Sequence, residues 1–221
     1  MKKLVMILLL TAVSNTAYSF GLPDLPGSAK GSGDTAASGE SASDAQEVIV
    51  GDFKVALGYV LQAQGHVASA LGLSDTAEDL KLQAGRLSGS DCVTSCLKEV
   101  RESSANGEKK IKEKIAAGSD LDSDSKKQLA KAFMPLGKGT YTMAKLAPKA
   151  KDWAKSASSE IKSAGMMGAA KLKKKLDVGL YIAKTTPKLI KEWTKTTSSL
   201  VAFGKDAGVP TEGASGPEMQ G

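Results

Sequence analysis

Residues 44–73 read DAQEVIVGDFKVALGYVLQAQGHVASALGL, and their spacing decides the fold. Phe53, Leu57, Val60, Gln64, Val67 and Leu71 recur at alternate steps of four and three. That pattern places them along one face of a single long helix. Beside this stripe, Gly51, Gly58, Gly65 and Gly72 recur every seven residues. Glycine costs a helix roughly 1 kcal/mol per position relative to alanine. Four on one line therefore predict that another backbone approaches closely there, within the protein or from a second copy. Chance recurrence in a chain with 23 glycines is the plain alternative. Small residues also favour helix packing inside a bilayer, but Lys54, Gln62, Gln64 and His66 argue against a permanent span.

The segments downstream carry the same helical signature. Asp75-Thr76-Ala77-Glu78 has the form of a capping box and predicts a short helix with Leu80, Ala84 and Leu87 inward. Ser88-Gly89-Ser90 breaks it, and Ser90 or Asp91 is placed to cap the next helix, which runs to about Ala117. Its polar middle, Arg101 to Gly107, is a candidate break. The LDSDS stretch at 121–125 resets the chain before a helix from Ser123 to Met134. Pro135, Gly137 and Gly139 predict a turn or kink, followed by helices over 140–163, 166–184 and 187–203, the last opening on Pro187. Nothing alternates at period two long enough to build a sheet. The expected fold is all-α, a bundle of six or seven mostly antiparallel helices with disordered N- and C-terminal tails.

Composition agrees. Aromatic residues make up 5% of the 221-residue chain, so a core must rest on aliphatic side chains and alanine, which suits packed helices. One histidine and two cysteines supply too few ligands for zinc-finger or multi-haem chemistry. The chain opens MKKLVMILLLTAVSNTAYSF: Lys2 and Lys3, an apolar run from Leu4 to Val13, then small residues before Phe20. This is the layout of a cleaved signal peptide over residues 1–19, and it points to a bacterial exported protein, periplasmic or secreted. A membrane anchor needs roughly 20 apolar residues, about twice this run. Residues 20–43 and 205–221 are rich in Gly, Ser, Ala and Pro and predict a disordered linker and tail. They leave a helical domain over 44–204.

Cleavage removes two lysines and no acid, so 30 bases become 28 against 24 acids, a balance of +4. The charge is uneven: residues 21–107 hold 6 bases and 12 acids, while residues 108–221 hold 22 bases and 12 acids. Between Lys138 and Lys195 stand 14 lysines, no arginine and four acids. Lysine is a point charge without the bidentate fork of arginine, so this stretch suits diffuse negative charge better than base readout. Nucleic acid is therefore disfavoured as a partner.

The expected binding face carries Lys145, Lys149, Trp153, Lys171, Lys174, Lys175, Lys188, Lys191, Trp193 and Lys195, with the tryptophans as interfacial anchors or, alternatively, as core residues. Its partner is an anionic lipid or membrane surface, or an acidic protein. The plain reading is a solvated lysine face whose stems cover apolar surface, or a basic half folded against the acidic half.

Candidate chemistry is sparse. His66 is the sole histidine and reads as an ordinary helix residue. Asp120, Asp122 and Asp124 begin like a calcium loop, but Ser125 and Lys131 replace its sixth-position glycine and twelfth-position glutamate, so no metal is expected. Cys92 and Cys96 have C-x3-C spacing. In an oxidising compartment this predicts a local structural disulfide, with free thiols, bonds to another copy and redox function as alternatives. No nucleophile elbow, phosphate loop or ligand set is visible, so neither enzymatic activity nor a cofactor is expected. The functional expectation is a non-enzymatic exported helical protein that binds an anionic membrane surface. The alternative is a helical scaffold or protein-interaction module that self-associates through the Gly51-Gly58-Gly65-Gly72 line, and an enzyme of unknown class stands third.

Overall fold

The computed structural model describes residues 41–214. The leader expected over residues 1–19, the linker over 20–40 and the tail over 215–221 lie outside the described residues. Six helices follow in order: α1 Ala42–Ala70, α2 Ser74–Arg86, α3 Thr94–Ala116, α4 Ser123–Ser163, α5 Gly165–Lys175 and α6 Asp177–Asp206. A short 3-10 turn at Glu212–Ala214 completes the fold, and no strand occurs among the described residues. The all-helical bundle expected from periodicity is what forms.

α1 is the central helix. All six residues of its stripe are buried, and so are Ala56, Leu61, Ala63 and Ala68 on its flanks. A helix apolar over so much of its circumference must be covered on several sides. α4 packs against it most extensively, with α2, α3 and α6 closing the remainder.

Gly72 ends α1 rather than continuing the glycine line. Its φ of +73° is in the left-handed region, and Gly72 N–H and Leu73 N–H donate to Ser69 O and Ala68 O. This Schellman arrangement turns the chain directly into α2. The capping box expected at Asp75 is therefore corrected: α2 begins at Ser74, and Leu73 precedes it with no side-chain cap. Neither Ser90 nor Asp91 caps α3, whose preceding residue is Val93. Asp122 does cap α4, its carboxylate accepting from Ser125 N–H at 2.7 Å.

Three expected interruptions are absent. α3 is continuous through Arg101–Gly107, because Ser104 is buried against α1 and Gly107 lies against Leu80. α4 runs 41 residues through Pro135 and Pro148, and α6 runs 30 residues through Pro187. Tertiary packing overrides the local cost of proline at these points. Gly139 is not a turn residue either. A Cβ there would stand 2.8 Å from Val60 Cγ2 and 3.0 Å from Ala56 O, so its bareness lets the α4 and α1 backbones approach. In turn, the expected helix over 166–184 is split at Leu176 between α5 and α6.

The boundaries shift outward at both ends. Ser41 caps α1, its hydroxyl accepting from Asp44 N–H, so residues 42 and 43 belong to the helix rather than the linker. The tail expected to be disordered from 205 is corrected over 205–214. α6 reaches Asp206, Val209 and Ala214 are each 6% exposed, and Gly213 lies against the Met134 backbone.

Candidate anionic-surface site

The expected binding residues fall into separate groups. Trp153 and Trp193 are 6% and 3% exposed, so the anchor reading is corrected and the core alternative holds for both. Trp153 Nε1–H donates to Ala42 O at 2.8 Å, and its ring lies over Gly179. Tryptophan here ties α4 to the start of α1 and to α6, its N–H finding an acceptor in the first turn of α1.

Lys145 Nζ stands 4.4 Å from the centroid of the Tyr141 ring. Lys149 Nζ pairs with Asp52 at 3.3 Å, an ion pair joining the basic half of the chain to the acidic half. Lys188, Lys191 and Lys195 are exposed at helical spacing along α6, with Lys188 Nζ 3.6 Å from Glu192. From Asp177 to Lys188 the chain climbs roughly 16 Å along α6 at about 1.5 Å per residue. The ten expected residues therefore do not form one patch.

α5 holds Lys171, Lys174 and Lys175 together. It buries none of its residues. Gly165, with φ +65°, reverses the chain out of α4, and Leu176, fully buried, fixes the corner into α6. Gln46 of α1 clamps that corner, donating from Nε2 to Lys175 O at 3.2 Å and accepting Gly179 N–H at 3.1 Å. The short helix is thus held at one end and along its Gly168–Leu172 side, while the rest of its surface faces solvent. The lysines of its last turn also complement the negative end of the helix dipole.

Met166 and Met167 open α5, at 95% and 89% exposure the most exposed large hydrophobics among the described residues. At helical spacing Met167 shares a face with Lys171, Lys174 and Lys175, and Met166 shares the adjoining face with Lys173. Among the described residues no carboxylate lies within ion-pair distance of Lys171, Lys173, Lys174 or Lys175. Lysines 127 and 155 differ, each paired at 2.9 Å with an aspartate three residues earlier. The methionine pair was not singled out from the sequence. Its signal was two large apolar residues between glycines, immediately before a lysine run.

The glycine line is not an accessible seam. Gly58 and Gly65 are buried inside the bundle, Gly51 is exposed with open space around it, and Gly72 lies beyond the helix. Close backbone approach occurs at Gly139, and at Gly137 against the carbonyls of Gly213 and Ala214. The expectation of a four-glycine packing line is corrected at Gly51 and Gly72, while Gly58 and Gly65 lie within the packed bundle.

Cys92 and Cys96 form the expected local disulfide, with alpha carbons 5.0 Å apart. Lys54 Nζ donates to Gly89 O in the preceding turn. Burial lowers the Lys54 pKa, opposed by the charge of Asp91. His66 is 7% exposed on α1. Burial holds its imidazole below the ordinary value, opposed by a hydrogen bond with Gln128, while Lys131 lowers it further. Among the described residues no group of three or more His, Cys, Asp or Glu could hold a metal ion. None of their helices is long and apolar enough to cross a membrane.

No protein-family model, no curated protein and no solved structure matches this chain.

Proposed function

We propose that this protein is a non-enzymatic, exported helical protein that docks reversibly onto an anionic membrane surface through α5. The observation that carries this reading is the pairing of Met166 and Met167, almost wholly exposed, with Lys171, Lys173, Lys174 and Lys175 on a helix that buries nothing. An apolar pair beside unneutralised lysines suits a headgroup boundary, where thioether side chains enter the acyl edge and ammonium groups meet lipid phosphates. Each lysine near such a surface contributes about 1 kcal/mol, and each fully buried methionine about 1.5–3 kcal/mol. Together these exceed the cost of holding so small a segment in place, yet fall well short of a spanning helix. The signal peptide expected at residues 1–19 would deliver the chain to a compartment bounded by lipid headgroups.

Sedimentation with anionic and with neutral vesicles, each at low and high salt, tests the reading. Binding is expected to anionic vesicles and to weaken with salt, because exposed charges are screened. Met166→Ser with Met167→Ser is expected to remove most of it, and so is Lys171→Glu with Lys174→Glu and Lys175→Glu. All five side chains are exposed, so neither variant should change the circular dichroism spectrum. Absence of binding to either vesicle overturns the proposal, as does equal binding by the charge-reversed variant.

A further inference from the structure

Far along the bundle from α5, a cavity of about 140 Å³ opens between α1, α3 and α6, lined by Gln64, Glu108, Ile111, Ile115, Thr196 and Leu200 among others. Gln64 is the exception in the α1 stripe, a polar residue at a core position whose other five members are apolar. It is 1% exposed. Its Oε1 accepts from Ser104 Oγ at 2.9 Å, but its buried Nε2 has no acceptor among the described residues. A buried amide N–H without a partner is costly, and such groups are normally satisfied. Glu108 is already engaged: it accepts from Thr196 Oγ1 at 2.5 Å and pairs with Lys112.

We infer that this cavity is a binding site for a small uncharged amphiphile: a compact apolar body bearing one hydroxyl or carbonyl oxygen that accepts a hydrogen bond from Gln64 Nε2. Size, wall chemistry and charge agree on that class. An engineered apolar cavity of about 150 Å³ holds benzene, so the volume here suits a ring or short chain of similar bulk. Ile111, Ile115 and Leu200 supply apolar walls for that body. The Glu108–Lys112 ion pair on the same wall is net neutral, so nothing there offsets the cost of burying an anionic ligand's charge. A cationic amine is also the wrong partner, because it has only donors to offer the Gln64 N–H. A hydroxyl is best suited, since it can accept from Gln64 and still carry a proton to share with a carboxylate.

The site does not depend on the α5 reading, and its test is separate. Phenol, benzene and benzoate are titrated into the uniformly 15N-labelled protein while amide chemical shifts are followed. Phenol should give saturable shifts centred on Gln64, Ile111 and Thr196, bind about two- to tenfold more tightly than benzene, as one net hydrogen bond allows, and leave benzoate without a saturable response. Gln64→Met should erase the preference for phenol over benzene. Ser199→Phe, at an exposed position bordering the cavity, should block both ligands without altering the fold, and decides the matter should the Gln64 variant not fold. Shifts that fail to saturate, or phenol binding unchanged in Ser199→Phe, overturn the assignment and leave the cavity to solvent.

Discussion

Replacing Gly179 by alanine opposes two effects whose balance the structure fixes. By helix propensity alone, alanine at Gly179 or at Gly51 should stabilise by up to about 1 kcal/mol, since both lie within helices. Their surroundings differ. A Cβ at Gly51 meets nothing within 4 Å. One at Gly179 would stand 2.7 Å and 2.8 Å from Cζ2 and Cζ3 of Trp153, and nearer still to Cη2. The ring cannot simply retreat: it is 6% exposed, and its Nε1–H is held by Ala42 O at 2.8 Å.

Overpacking costs about 1–3 kcal/mol, and a rigid pinned ring places this site in the upper half of that range. After the propensity gain, Gly179→Ala should be destabilising by about 1–2 kcal/mol. At about 2–4 °C per kcal/mol for a domain of this size, its Tm falls by roughly 2–8 °C. Gly51→Ala should instead rise by roughly 1–4 °C. Thermal melts followed by far-UV circular dichroism measure both, and the near-UV tryptophan signal reports whether the ring has moved. A Gly179→Ala protein melting at or above the wild type, with an unchanged near-UV spectrum, would refute the close packing of α6 on Trp153.

Acidification tests the burial of His66. Its folded-state pKa lies below the ordinary 6.5, so the unfolded chain binds the proton first as pH falls. Its contribution is therefore fully present above about 6.5 and is lost on descending towards the folded value. The urea midpoint should drop between about pH 7.5 and about pH 5.5 in the wild type, and less in His66→Gln. Equal slopes would contradict that assignment. Val209→Ala removes two buried methyl groups at about 0.8 kcal/mol each, so Tm should fall by roughly 3–6 °C; no change would return residues beyond Asp206 to the solvent. Cys92→Ser with Cys96→Ser opens a link of sequence separation 4. The chain-entropy relation puts its loss at about 2 kcal/mol. Faster amide exchange should be confined to the turn before α3 and its first residues, and exchange spreading into α1 or α4 would contradict a purely local link.

The sequence determined those features whose cause is local. The alternation of fours and threes in α1 is a direct record of burial, because a side chain every turn must face the same neighbour. Aspartate before α4 and the cysteine spacing at the start of α3 act over three or four residues, and both were legible. Lysines 171, 174 and 175 were likewise recognisable as one face, since helical geometry sets that without reference to the rest of the chain.

Only tertiary structure decided which rules of local chemistry would yield. Pro135 read as a turn or kink and Pro187 as a helix start, because proline's effect is local, whereas α4 and α6 run through them while packed on each other and on α1. Trp153 read equally as an interfacial anchor or as core until Ala42 and Gly179, distant in sequence, supplied a partner for its nitrogen and a bed for its ring. The glycines that matter for close approach, at 139 and 179, carried no periodicity, because what requires them lies on other helices. Met166 and Met167 could have been core by composition alone. They are exposed because the Gln46 clamp and buried Leu176 fix the corner of α5 while no other helix among the described residues covers its outer face.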